Sequence, residues 1–210
     1  MRTVLFTLFC LCMVILFIGL GIWQLQRHEW KTKQIQAYIQ TQYLAEIDMN
    51  YMLQQHGGKR TQELTSAFQP VTAAGHYQET HTLFIQGKYH KSQLGLWAVT
   101  PFKLTDGPYI MVMRGWVGIH DKPTLSDDQP ETSVHGILHP GQERPRFLPL
   151  QNDPEAGKWY WLNTSMMADH LSALLNAQVV PLLIHRSHDT PAHGNPISLR
   201  VTADPQWHTH

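Results

Sequence analysis

GLWAVTPFKLTDGPYIMVMRGWV, residues Gly95 to Val117, decides the fold of this chain. Two runs rich in β-branched, aromatic and aliphatic residues, Gly95–Lys103 and Tyr109–Val117, flank the turn Thr105–Pro108 (TDGP). A connection that short leaves no room for a crossover helix, so the two runs are predicted to pair antiparallel. Working outward, similar segments recur at Val71–Tyr77, Thr82–Gln86, Val134–Leu138 and Trp159–Leu162 (WYWL), separated by polar or turn-forming stretches such as GKYHKSQ. Val179–His185 (VVPLLIH) also reads as a strand, and Pro181, which has no N–H to donate, predicts an edge position for it. Ser165 to Asn176 spaces Met166, Met167, His170, Leu171, Leu174 and Leu175 as an amphipathic helix, with Ser165 as its predicted N-cap. Asp48 to Gln69 is polar, contains Gly57–Gly58 and reads as a loop. The predicted fold class is α+β: an antiparallel β-rich domain, barrel- or sandwich-like, with one packing helix.

The N-terminus is of another kind. Val4 to Trp23 holds 20 residues without a charge; at about 1.5 Å per residue a helix of that length spans roughly 30 Å, the thickness of a bilayer core. Lipid cannot satisfy free backbone groups, so the run is predicted helical. It continues into GIWQLQRHEWK (Gly21–Lys31) with no small-residue cleavage site, which reads as an uncleaved anchor. Trp23, Arg27 and Trp30 are spaced four and three apart and share a helix face, as an interfacial belt would. The counts of Arg and Lys on the two sides of the run do not orient it. The expected division is an anchor over 1–26, a helical stalk and loop over 27–69, the β-rich domain over 70–200, and a tail over 201–210.

Composition excludes several classes of function. Lys plus Arg and Asp plus Glu are balanced at 16 each, so no charge excess points to nucleic acid. The two cysteines, Cys10 and Cys12, lie within the apolar run, which leaves no disulfide or thiolate metal site in the rest of the chain. There is no G-x-S-x-G, no H-E-x-x-H and no glycine-rich phosphate loop. The pairs His135/His139 and His185/His188 lie on extended or turn-like segments with no carboxylate to complete a metal site, and are expected to be structural. The chain is therefore expected to be neither an enzyme nor a metalloprotein. Arg114, which closes a buried strand, calls for a carboxylate, and Asp153 in the stretch RPRFLPLQNDPEAGKWYW is the expected partner. Arg114, Trp116, Asp153, Trp159 and Trp161 are thus expected to serve the fold.

These stretches together resemble the Surfeit locus protein 1 family, the assembly factors of cytochrome c oxidase. The resemblance runs in order: Gly21, Trp23, Gln24, Leu25, Arg27, Trp30 and Lys31; Gly75 and Tyr77; Thr100, Pro101 and Phe102; Arg114, Gly115 and Trp116; then Arg144, Pro145, Phe147, Asn152, Asp153, Pro154, Trp159, Tyr160 and Trp161, followed by Met167 and Ala168. It implies a membrane protein whose domain lies on the outer side, in bacteria the periplasmic face of the inner membrane. It implies a role in maturing subunit I of a haem–copper oxidase alongside the proteins of haem a synthesis. Trp23, Gln24, Arg27 and Trp30 would then meet lipid and a partner. No cofactor is required for such a role, although haem a is a possible ligand. The family's second membrane helix is preceded by a histidine, a position that His208 in DPQWHTH (204–210) matches, so His208 is the candidate axial ligand. No second apolar run follows it, and either one anchor or a truncated chain is expected, with weak or no haem binding. The competing reading is a scaffold with one membrane pass whose domain binds a membrane protein unrelated to respiration.

Overall fold

The structure is a computed structural model that describes residues 2–42, 44–120, 125–128, 130–139, 141 and 150–187. It falls into two compact units, an N-terminal helix through Gln40 and a domain from Thr41. Helix α1 runs unbroken over Arg2–Gln42. Within it Phe9–Glu29 is long and apolar enough to cross a membrane. Phe9, Leu16 and Phe17 on this stretch are more than half exposed, a surface that water does not tolerate and lipid does.

The domain is built from β1 (Ile47–Asp48), α2 (Met49–Leu64), β2 (Pro70–Tyr77), a single 3-10 turn (Glu79–His81), β3 (Leu83–His90), β4 (Gln93–Leu104), β5 (Tyr109–Gly118), β6 (Thr132–His139), α3 (Thr164–Leu175) and β7 (Val179–Arg186). Strands β2, β6, β7, β5 and β4 follow one another, and β4 pairs back onto β2 to close a five-stranded barrel. Strand β4 is long enough to serve two neighbours on one edge, with its first half on β3 and its last residues on β2. The anticipated TDGP hairpin is present as the β4–β5 pair, which runs from Lys103↔Tyr109 to Gly95↔Gly118 with one shift of register between Ala98 and Val99.

Period-two alternation fills the barrel. Val71, Ala73 and Tyr77, Phe102 and Leu104, Ile110 and Val112, Val134 and Leu138, and Val180, Leu182 and Ile184 make one buried cluster, with Met49 and Leu53 of α2 packed into it. The alternate residues Met111, Met113, Val99, Leu83, Ile85 and Leu183 face outward into a second cluster, roofed by Met167, Ala168 and Leu171 of α3. Strand β5 is thus buried on both faces, which explains why YIMVM carries no polar alternation.

Four local expectations are corrected. Asp48–Gln69 is not a loop: Asp48 caps α2 by accepting from the N–H groups of Asn50 and Tyr51. Gly57–Gly58 only kinks the helix, at a positive φ of 67° on Gly57. Strand β7 is interior, parallel to β5 and antiparallel to β6; Pro181 is tolerated because it falls in the irregular register between Tyr109↔Val179 and Met111↔Leu183, where no ladder bond is asked of it. WYWL forms no strand, only a single bridge of Trp159 to Ile85. The cap of α3 is Asn163, whose side chain accepts from the Met166 N–H, and Ser165 lies inside the helix.

Candidate functional site

Two places hold the residues that the sequence singles out: the end of the apolar stretch of α1 and one end of the barrel. On α1 the Arg27 guanidinium stands 5.5 Å from the centre of the Trp23 ring. The four-residue spacing puts the two on one helix face, and their stacking keeps a cation and an amphipathic ring together at the end of the apolar stretch. Gln24 is exposed beside them. The side chain of Trp30 lies outside the described residues.

At the barrel end the sequence RGW acquires a geometry. The β4–β5 register slips between Ala98↔Gly115 and Val99↔Met113, so Arg114 is the extra residue of a β-bulge. Gly115 supplies the backbone that the bulge requires, with φ 141°. The bulge turns Arg114 into a buried cluster, where its guanidinium donates to the Glu79 carboxylate and lies 4.6 Å over the Tyr77 ring. The other Glu79 oxygen accepts from the Ser126 N–H at 3.2 Å. Tyr77 packs edge-on against Phe102 with centroids 4.9 Å apart. Burial raises the Tyr77 phenol above its ordinary value, against the opposing pull of Arg186 and Arg114. Arg186, at the end of β7, is 4% exposed; burial, together with the like charge of Arg114, lowers its pKa.

Glu79, not Asp153, is therefore the partner of Arg114. Asp153 closes a surface turn instead: its backbone pairs in both directions with Lys158 at 2.8 Å, and its carboxylate accepts from the Ala156 N–H. Asn152 beside it accepts from the N–H groups of Tyr160 and Trp161 and donates to the Trp161 carbonyl. This turn delivers Trp159 into the outer core, where it is fully buried and its carbonyl takes the Gln86 N–H at 2.7 Å. Trp161 remains at the rim, half-buried. Trp116 lies across Gly95, with no room there for a Cβ, and donates to the Lys88 carbonyl. Sequence reasoning missed Glu79, although it stands two residues beyond Tyr77 at the end of a strand the sequence did reveal.

Lys88 lies 4.5 Å over the Trp97 ring, and burial lowers its ammonium to about 8 from an ordinary 10.5. A lysine whose folded value is lowered is least favourable to folding at neutral pH, and the penalty fades as pH rises from about 8 towards 10.5. Lys88→Met should therefore gain most over the unaltered chain in urea midpoint near pH 7, with the difference shrinking across that window. A difference constant with pH would contradict this.

The histidines separate. His135 is exposed and sits 2.9 Å from Glu46, whereas His139 and His185 are buried with rings 6.4 Å apart. Among the described residues no group of three or more His, Cys, Asp or Glu is placed to hold a metal ion. His188, Arg144, Pro145, Phe147 and His208 lie outside the described residues. A half-open groove of about 380 Å³ runs beside β3, lined by Phe84, Leu96, Trp159 and His170 among others, near the lower end of small-molecule sites. Burial lowers the His170 pKa, which favours the neutral imidazole, but that ring is packed edge-on against Trp159 at 5.6 Å. This groove is not an apolar slot closed around an axial imidazole, and no haem contact is assigned to it.

The chain has relatives among known proteins. The chain is 26% identical to a SURF1-like protein of Dictyostelium discoideum, covering 92% of this chain and 80% of that one. It is 30% identical to a SURF1-like protein of Monosiga brevicollis, covering 85% and 69%. With Surfeit locus protein 1 of Rattus norvegicus the identity is 28%, over 88% of this chain and 62% of the relative's length. The chain thus spans less than two thirds of the rat protein. The profile of the SURF1 family matches residues 11–210, from within the membrane-length helix through the bulged RGW strand and the Trp159 turn, and the chain belongs to the SURF1 family.

Proposed function

We propose that this protein is a membrane-anchored assembly factor for cytochrome c oxidase, acting on subunit I in concert with the haem a synthesis proteins and assisting haem a insertion without catalysing a reaction. The observation that carries this reading is the family match over residues 11–210, together with the part its characteristic residues play here. Gly75, Arg114, Gly115, Trp116 and Trp159 shape the barrel. Trp23 and Arg27 are exposed on a membrane-length helix where the fold asks nothing of them. Exposed side chains that serve neither core nor turn are candidates for a partner.

The domain is assigned to the periplasmic face of a bacterial inner membrane. A cysteine introduced at Glu63, exposed on α2, should react with a membrane-impermeant maleimide in intact spheroplasts when Cys10 and Cys12 are replaced by serine. Labelling only after lysis would place the domain on the other side. Arg27→Ala should lower oxidase activity in membranes while the abundance of the protein stays unchanged, because Arg27 contributes nothing to the barrel. Unchanged oxidase activity would reduce Trp23 and Arg27 to a membrane belt.

A further inference from the structure

Strands β5 and β7 end their shared parallel ladder at Met113↔His185, so the residues that follow, Arg114 and Arg186, leave it side by side. Less than a tenth of either is exposed. Tyr77, at the end of β2 and buried to the same degree, completes the group, with the Arg114 guanidinium over its ring. The charges that act on Tyr77 are these two guanidiniums and the one carboxylate of Glu79. Two like charges held this close and out of water oppose each other, and Glu79 offsets only one of them.

Acceptors are short in the same place. Glu79 gives one oxygen to Arg114 and the other to the Ser126 N–H. The Tyr77 O–H and the Arg114 Nε–H are buried donors that reach no acceptor among the described residues. Arg186, which acts on the Tyr77 oxygen, offers none, because a guanidinium only donates. Nearly every buried donor in a folded protein finds an acceptor, and two neighbouring exceptions call for a water or an ion that completes them. A water brings the acceptor but not the charge. An oxyanion brings both, and guanidinium N–H groups beside a phenol are ready partners for its oxygens.

We propose that Arg114, Arg186 and Tyr77 form an anion-binding site at the barrel end, beside the internal Glu79 pair, and that it takes a compact, singly charged oxyanion of the carboxylate class. The charge follows from the count: two guanidiniums less one carboxylate leave one positive charge to be met. Donors supply the specificity, since the Arg114 Nε–H and the Tyr77 O–H can each meet one carboxylate oxygen. The group lies close to solvent, because Ser126, which bonds to Glu79, is itself exposed. None of these residues lines the groove beside β3, so this is a separate place on the domain.

The test is the urea midpoint of the full chain in detergent as sodium formate or sodium phosphate is added. A ligand of the folded state raises the midpoint with its concentration, whereas stabilisation by salts excluded from the surface is shared by all variants. Formate should raise the midpoint of the unaltered chain at lower concentrations than phosphate does. Tyr77→Phe keeps the ring packed on Phe102 and removes a hydroxyl that lacks an acceptor, so without added anion its midpoint should be equal or higher. Its response to formate should then require roughly tenfold more of the anion, the loss of one hydrogen bond to a charged group. Asp153→Ala, outside the cluster, should respond as the unaltered chain does, and Arg114→Met with Glu79→Leu should not respond beyond the shared salt effect. A response equal in all four proteins, or no response of the unaltered chain to formate, would overturn the proposal. Phosphate acting at lower concentrations than formate would overturn the assignment to a singly charged carboxylate.

Discussion

Glu79→Ala should destabilise the domain by about 3–5 kcal/mol, the loss typical of stranding one member of a buried ion pair. Both side chains of the Arg114–Glu79 pair are under 10% exposed. Removing the carboxylate leaves Arg114 buried without a counter-charge and facing the like charge of Arg186. It also takes the acceptor from the Ser126 N–H. Asp153→Ala, in contrast, removes one hydrogen bond from an exposed turn and should cost about 1 kcal/mol. The double variant Arg114→Met with Glu79→Leu should recover most of the loss, because both desolvated charges are then gone. Urea unfolding of the full chain in detergent, followed by tryptophan fluorescence, ranks the three. Equal losses for Glu79→Ala and Asp153→Ala, or a double variant worse than either single, would show that the pair is not the buried unit described.

Gly75→Val should be at least as damaging, for a steric reason. A Cβ at residue 75 would stand 2.0 Å from the Lys103 carbonyl oxygen and 3.0 Å from the Leu104 Cα. Those atoms are backbone and cannot rotate away. Gly75 lies where β2 meets β4, opposite Leu104, so a side chain there opens the seam that closes the barrel. Overpacking costs roughly 1–3 kcal/mol even where side chains can yield, and this seam should exceed that range. Gly58→Ala meets only the Val180 side chain, which can move, and should be tolerated far better. Folding of Gly75→Val with an unchanged midpoint would mean that β2 and β4 do not close the ring.

How much of this was legible beforehand differs by element. The β4–β5 hairpin was plain because two dense strands flank a strong turn signal. The bulge inside it was not, because nothing in sequence distinguishes a glycine such as Gly115, chosen for φ, from one chosen for size. Asp153 was the expected partner of Arg114 because it neighbours the tryptophans that pack the same domain. Its carboxylate is in fact engaged by the turn from Asp153 to Lys158, a local demand that a long-range pairing argument overlooks. Helix α2 was missed because it buries only Met49, Leu53 and Thr61, too thin a stripe to show periodicity against two glycines. The edge rule for proline failed at Pro181 because an irregular register does for an interior strand what an edge does elsewhere. At the membrane exit the spacing of Trp23 and Arg27 was sufficient, since helical neighbours follow from geometry alone.

The most direct test of the assembly role is a reduced-minus-oxidised spectrum of membranes from a strain lacking this gene, complemented with the intact gene or with Arg27→Ala. The expected result is a depleted haem a band and low oxidase activity without the gene, restoration by the intact gene, and weak restoration by Arg27→Ala at normal protein abundance. A haem a band and oxidase activity unaffected by the deletion would contradict it.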